Sequence, residues 1–210
     1  MSSPAPTVYL LDDEPGLIKA LSRLLKAEGL AVKGYTAAPD FLAELGADTT
    51  GCLVLDVAMP EIGGFEVQER LAELGNPLPI VFLTGRGDIP MSVQAIKAGA
   101  VNFLTKPVVD DHLLRAVREA LSVATAQRAA ATELLALRER YRRLTPRERE
   151  VMHHVVAGQL NKQIAADLGT GEQNIKVHRG RVMDKMQVVS LADLVRAAER
   201  LGVGKGSGVS

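Results

Sequence analysis

Five short apolar runs alternate with segments of helical period through the first half of the chain, and no other sequence feature restricts the fold as much. The runs are TVYLL (7–11), AVKGY (31–35), GCLVL (51–55), LPIVFLT (78–84) and VNFLT (101–105). Between them lie PGLIKALSRLLKAEG (15–29), PDFLAELG (39–46), GGFEVQERLAELG (63–75) and DIPMSVQAIKAGA (88–100). In 15–29 the apolar stripe Leu17, Ile18, Leu21, Leu24, Leu25 has the helical period, and Gly29 ends it. Strands separated by helices form a parallel sheet covered on both faces, and a continuously apolar strand such as CLVL belongs in its middle. The expected fold is therefore α/β, a doubly wound five-stranded parallel sheet.

The second half reads differently. From Val108 to Leu144 there is neither Pro nor Gly. One helix is expected there, leaving the first domain and becoming a linker rich in Ala, Leu, Arg and Glu, all strong helix formers. Everything after it is helical in pattern. LTPREREVMHHVVAG (144–158) offers Thr145 as N-cap and Pro146 as first helical residue. Then come the short NKQIAADLG (161–169), the basic GEQNIKVHRGRVMDKMQV (171–188), and SLADLVRAAERLG (190–202) with Ser190 as cap. The last residues, GVGKGSGVS, are expected to be disordered. The expected division is a first domain at 6–122, a helical linker at 123–140 and an all-α domain at 141–204.

Charge follows the same division. Residues 1–124 hold 10 Lys+Arg against 16 Asp+Glu, and residues 141–210 hold 12 against 7. An acidic front and a basic back imply different partners, the back one anionic. A single cysteine, Cys52, excludes an internal disulfide framework and fits a reducing compartment. The N-terminus MSSPAPTVYLLDDE has no basic region followed by an apolar core, and no apolar run approaches the ~18 residues of a membrane span. A cytoplasmic protein without a membrane partner is expected.

In doubly wound sheets, ligands bind beyond the carboxyl ends of the strands. Asp12-Asp13, Asp56 and Thr84 each follow an apolar run directly, and Lys106 follows the fifth, so all fall on one rim. Three crowded carboxylates repel each other and resist ionisation. A hard divalent cation such as Mg²⁺ removes that conflict. Carboxylates, a cation, a lysine and a hydroxyl at one strand end suit phosphoryl transfer, where positioning and charge neutralisation do most of the catalysis. Taken alone, Asp12, Asp13 and Glu14 could equally serve the dipole of the following helix. Four successive strand ends with complementary groups favour the site.

These residues carry a resemblance. Asp12-Asp13, Leu55-Asp56 with Met59-Pro60, Thr84-Gly85, Ala98-Gly99-Ala100 and Lys106-Pro107 closely resemble the receiver domains of two-component response regulators over residues 7–120. The resemblance implies a flavodoxin-like sheet of strand order 2-1-3-4-5. It implies Asp56 as acceptor of a phosphoryl group from a sensor histidine kinase, assisted by Lys106 and Thr84. It further implies Mg²⁺ on Asp13, Asp56 and the Ala58 carbonyl, with Asp12 acting mainly through water, and a cis peptide before Pro107. Thr84 and Phe103 match the family's switch pair, and phosphorylation implies a homodimer. GDIPMSVQAIKAGA is similar to the FixJ branch, which often has His where Arg86 stands, and Val108 stands where Phe is common.

Residues 145–188 resemble the LuxR/FixJ-type helix-turn-helix through Leu144-Thr145-Pro146-Arg147-Glu148, Asn161-Lys162, Ile164-Ala165, Leu168 and Val177-His178. In that family the second helix of the motif enters the major groove of double-stranded promoter DNA. Lys176 and Val177 occupy base-reading positions. Lys162, Arg179, Arg181 and Lys185 suit phosphate contacts, which position without specifying. Asn174 stands where Thr is usual, and Gly180 where a basic residue often meets DNA.

The expected protein is a response regulator that controls transcription, not an enzyme. One alternative is a Mg²⁺-dependent aspartyl-phosphate phosphatase of the haloacid-dehalogenase type. That type carries Asp-x-Asp-x-Thr, and Asp56-Val57-Ala58-Met59 lacks the second Asp. The other is a receiver whose tail holds protein or RNA.

Overall fold

The computed structural model describes residues 6–46, 49–76, 78–85 and 89–203. Arg86 and the tail beyond Val203 lie outside the described residues. The chain divides into two compact units, Met1–Arg128 and Ala129–Ser210.

The first unit is the expected sheet. Strands β1 (Thr7–Leu11), β2 (Ala31–Tyr35), β3 (Gly51–Asp56), β4 (Ile80–Thr84) and β5 (Asn102–Thr105) are all parallel, in the order β2-β1-β3-β4-β5. Helices α1 (Pro15–Ala27), α2 (Ala38–Glu44), α3 (Gly64–Glu73) and α4 (Ile89–Lys97) connect them. Side chains alternate between faces with a period of two. Val8, Leu10, Cys52, Val54, Val81 and Leu83 therefore bury on one face, against Leu21, Leu25, Leu113 and Val117. Tyr9, Leu11, Leu53, Leu55, Ile80 and Phe82 bury on the other, against Phe41, Val67 and Leu71. Each fully buried side chain of this kind contributes about 1.5–3 kcal/mol, so the two faces together hold the sheet. Strand β3 is buried along its whole length, as its apolar run requires.

Strand β3 runs one residue beyond the apolar run. Asp56 is its last residue and stands opposite Leu83 in the β3–β4 register. Sheet pairing thus fixes the backbone of Asp56. Behind it the chain turns, and Gly64 packs so close that a Cβ there would stand 2.4 Å from the Asp56 carbonyl oxygen. Only glycine permits that approach.

Helix α5 (Asp110–Arg142) is continuous over 33 residues. Its first turns cover the sheet through Leu113, Ala116, Val117 and Ala120. Its last turns belong to the second unit. Leu137 is buried in that unit's core, Glu133 forms an ion pair with Arg200, and the Tyr141 ring lies under the Arg149 guanidinium. Part of the stretch expected to be linker therefore packs as a first helix of the C-terminal unit.

The rest of that unit is α6 (Pro146–Val156), α7 (Asn161–Asp167), α8 (Glu172–Met186) and α9 (Leu191–Leu201) around Leu144, Val151, Met152, Ile164, Ile175, Val182, Met186 and Leu194. Thr145 and Glu148 form a capping box on α6: the Thr145 hydroxyl accepts from the Glu148 N–H, and the Glu148 carboxylate accepts from the Thr145 N–H. Gly169 (φ 61°) turns α7 into α8.

Glu148 is 2 % exposed and also takes a 2.6 Å bond from Lys185 Nζ. Burial alone would raise its pKa, but Lys185 and the Thr145 cap outweigh burial and hold it below the ordinary glutamate range. A carboxyl with a depressed native pKa adds stability that is present above its unfolded value, here 4.5, and is lost as pH falls through the native one. Acid melts of the full chain should show the helical unit losing stability below that pH. Glu148→Gln should flatten this part of the profile, as followed by helical circular dichroism.

Candidate functional site

The rim formed by the carboxyl ends of β1, β3, β4 and β5 gathers the expected side chains. Asp12, directly after β1, is 3 % exposed, Asp56 4 % and Thr84 2 %. Asp12 Oδ1 accepts the Glu14 N–H at 3.0 Å, a local turn that precedes α1 and fixes the carboxylate. Lys106 follows β5; its N–H donates to the Thr84 carbonyl at 2.7 Å, and its peptide to Pro107 is cis. From there Lys106 Nζ reaches Asp12 Oδ2 at 2.7 Å and Asp56 Oδ2 at 3.4 Å. Asp13 is exposed beside them, and carboxylate oxygens of Asp12, Asp13 and Asp56 lie within 4.8 Å of one another.

The electrostatics are unresolved by protein groups alone. Burial pushes the Asp56 carboxyl above the ordinary carboxylate range. The Asp12 charge adds to this, while Lys106 and a hydrogen bond from the Ala58 N–H oppose it. Burial also opposes the charged form of Lys106, but Asp12 and then Asp56 overcome this and raise its pKa. Asp12 Oδ2 is buried and receives no well-aligned hydrogen bond, although the ammonium stands near it. A buried Asp12 carboxylate that shares one ammonium with Asp56, and the exposed Asp13 carboxylate beside them, fit a hard divalent cation. Ala58 is exposed at the same turn.

Thr84 and Phe103 lie on adjacent strands. In the β4–β5 register Phe82 faces Phe103 and Thr84 faces Thr105. Phe103 is half-buried, with its ring centroid 6.3 Å from that of Phe82.

Glu14 emerges as a member of the site that its sequence position had suggested only for the helix dipole. It occupies the N-cap of α1 but makes no side-chain cap, and its Oε1 lies 3.3 Å from Lys106 Nζ.

The helical unit presents a second surface. On α8, Asn174, Lys176, Val177 and Arg181 are exposed, opposite the buried Ile175, Val182 and Met186; Lys162 is exposed on α7. Asn174 Nδ2 donates to Thr170 Oγ1 at 3.1 Å. Arg179 is half-buried and donates to Asn161 Oδ1 at 2.8 Å, which braces α8 against α7. The Lys185 ammonium is bound to the buried Glu148 carboxylate at 2.6 Å and so joins α8 to α6.

Comparison with known proteins follows the same division. The family of the response regulator receiver domain matches residues 8–118, and that of bacterial regulatory proteins of the luxR family matches residues 142–198. The chain belongs to the two-component response regulators, with a receiver and a LuxR-type helix-turn-helix domain, and works in transcription regulation. It is 48% identical over 201 residues to the response regulator protein TodT of Pseudomonas putida, covering 96% of this chain and 88% of that one. It is 40% identical over 198 residues to the transcriptional regulatory protein FixJ of Bradyrhizobium diazoefficiens, covering 93% and 96%. Among solved structures, the response regulator StyR superposes with a TM-score of 0.80 at 41% identity, covering 93% of this chain and 99% of that one. Full-length FixJ of B. japonicum gives 0.57 at 37%, covering 96% and 98%. Members of this family are generally not enzymes; a receiver implies a histidine kinase partner, and a LuxR-type domain implies DNA. Receivers generally bind Mg²⁺ at an acidic pocket of this kind. No helix among the described residues is long and apolar enough to cross a membrane.

Proposed function

We propose that Asp56 accepts a phosphoryl group from the phosphohistidine of a sensor kinase, and that the phosphorylated chain pairs with a second copy and binds promoter DNA. The observation that carries this is the buried carboxylate of Asp56 at the end of a central strand, 3.4 Å from an ammonium and beside two further carboxylates. An Asp56 oxygen attacks phosphorus, the phosphorus–nitrogen bond breaks, and the kinase imidazole leaves with its electron pair. Lys106 neutralises charge on the phosphoryl oxygens, and the Thr84 hydroxyl donates to one of them while Phe103 moves inward. Mg²⁺, when bound by Asp13, Asp56, the Ala58 carbonyl and, through water, Asp12, supplies further neutralisation of the phosphoryl oxygens. The transfer ends with the phosphoryl group on the chain itself, so the protein is a stoichiometric switch. Kinase output and promoter DNA meet in the cytoplasm, the compartment proposed for it.

The pairing face proposed is α4 with β5. Val93 and Ile96 are about half exposed there, Lys97 is exposed, Met91 is half-buried, and Phe103 lies on the adjoining strand. On DNA, Lys176 and Val177 read base edges, with Asn174 alongside, while Lys162, Arg179 and Arg181 meet phosphates and Lys185 contributes to them only from its bond with Glu148. Acetyl phosphate with Mg²⁺ should add one acid-labile phosphoryl group to the intact mass. Sedimentation at about tens of micromolar, the range of weak interfaces, should then show a doubled particle mass. An unchanged particle mass on fully phosphorylated protein would remove the dimer from this scheme.

A further inference from the structure

Lys106 is shared among three carboxylates that differ in burial. Its Nζ lies 2.7 Å from Asp12, 3.3 Å from Glu14 and 3.4 Å from Asp56. The Asp12 and Asp56 side chains are 5% exposed, whereas that of Glu14 is 65% exposed. Glu14 sits 92 positions away in sequence and reaches Lys106 because it stands at the mouth of α1, two residues after Asp12. Its carboxylate has no capping duty there, since the N-cap makes no side-chain hydrogen bond. Its backbone N–H is engaged separately, on Asp12 Oδ1. The side chain can therefore act on the ammonium without disturbing the turn that fixes Asp12.

An ammonium carries three donors and no acceptor, and its resting position among several carboxylates follows their combined pull. Asp12 and Glu14 both draw it toward the start of α1. Neutralisation of a group held on Asp56 draws it instead toward Asp56, from which it rests 3.4 Å away, farther than from Asp12.

We infer that Glu14 is a positioning residue for Lys106: it holds the ammonium toward α1 and so weakens the site's grip on a phosphoryl group at Asp56. This rests on the phosphoacceptor assignment proposed above. Because Glu14 is exposed, its pull is that of a surface ion pair, a few-fold effect and no more. It tunes the switch and does not build it.

The test uses the full chain with Mg²⁺ and beryllofluoride, a phosphoryl mimic, titrated by fluorine nuclear magnetic resonance. Glu14→Gln keeps the shape and the backbone bond and removes the charge; it should tighten beryllofluoride binding about two- to five-fold. In a Lys106→Ala background the same change should have no effect, because the path runs through Lys106. An equal gain in that background means simple repulsion by the Glu14 charge and overturns the inference, as does unchanged binding in the Lys106 protein. The same four proteins are also melted without metal or mimic. A shift in melting temperature for Glu14→Gln that vanishes with Lys106→Ala supports the contact even if Lys106→Ala binds no mimic. Equal shifts in both backgrounds, or none in either, refute it. Wild-type protein that ignores beryllofluoride, or binding that survives Asp56→Asn, defeats the phosphoacceptor assignment instead, and the melting cycle still judges Glu14.

Discussion

Asp56→Asn should reduce phosphorylation by acetyl phosphate and Mg²⁺ from about one group per chain to background. The amide is nearly the same size and fits the same strand-end pocket, but it lacks the charged oxygen that attacks phosphorus. The fold should survive and gain stability. Burial and the nearby Asp12 charge hold the Asp56 carboxyl above its ordinary range. A raised carboxyl pKa means that the ionised form costs native stability at neutral pH, and that this cost disappears as pH falls through the raised value. The neutral amide removes it at all pH values, so the variant should melt higher than wild type at neutral pH. Intact-mass measurement and a thermal melt on one preparation check both halves. A variant that still acquires one acid-labile phosphate has its acceptor elsewhere.

The second large effect is expected on α8. Lys176 is exposed on that helix, while Arg181 lies further along it. A base contact is worth about 1–3 kcal/mol of discrimination at one position. A phosphate contact weakens all sequences alike and lowers the slope of log affinity against log salt by about one. Lys176→Ala should therefore narrow the gap between selected and random duplexes by roughly 5- to 150-fold. Arg181→Ala should leave that ratio nearly intact and flatten the salt dependence. Equal loss on both duplexes for Lys176→Ala would mean that α8 does not read the groove in this register. Lys185→Ala should behave differently from both, because it leaves the buried Glu148 carboxylate without its cation and acts first on stability.

The sheet was legible because its signal is local. Runs such as CLVL and IVFL cannot be buried on both sides except in a central parallel strand, and the rim residues follow those runs without a gap. The capping box on α6 was half visible, through Thr145 and Pro146, since a cap is read from neighbours in sequence. What escaped were pairings that only tertiary packing decides. Lys185 is one basic residue among several on α8, and nothing in its neighbourhood announces that Glu148 lies buried within reach. Glu14 looks like any acid at a helix start; its contact with Lys106 joins the ends of β1 and β5, which β3 and β4 separate in the sheet. The end of α5 has the composition of a linker, yet Leu137 packs into the helical unit, and a single Leu in an Ala- and Arg-rich helix does not declare its partner. Asp56 was expected just past its strand, but pairing with Leu83 makes it the strand's last residue. That position accounts for how its backbone is held in place.

In the function proposed, the charge state of one strand end governs DNA binding by a separate helical unit. One measurement addresses it: the affinity of the full chain for a selected duplex, at fixed salt, before and after acetyl phosphate and Mg²⁺, with phosphate incorporation verified by mass. Coupling between two sites of this kind is typically worth about 5- to 150-fold, and binding should tighten within that range for wild type and stay constant for Asp56→Asn. Equal affinity for the phosphorylated and unphosphorylated wild-type chain would contradict it.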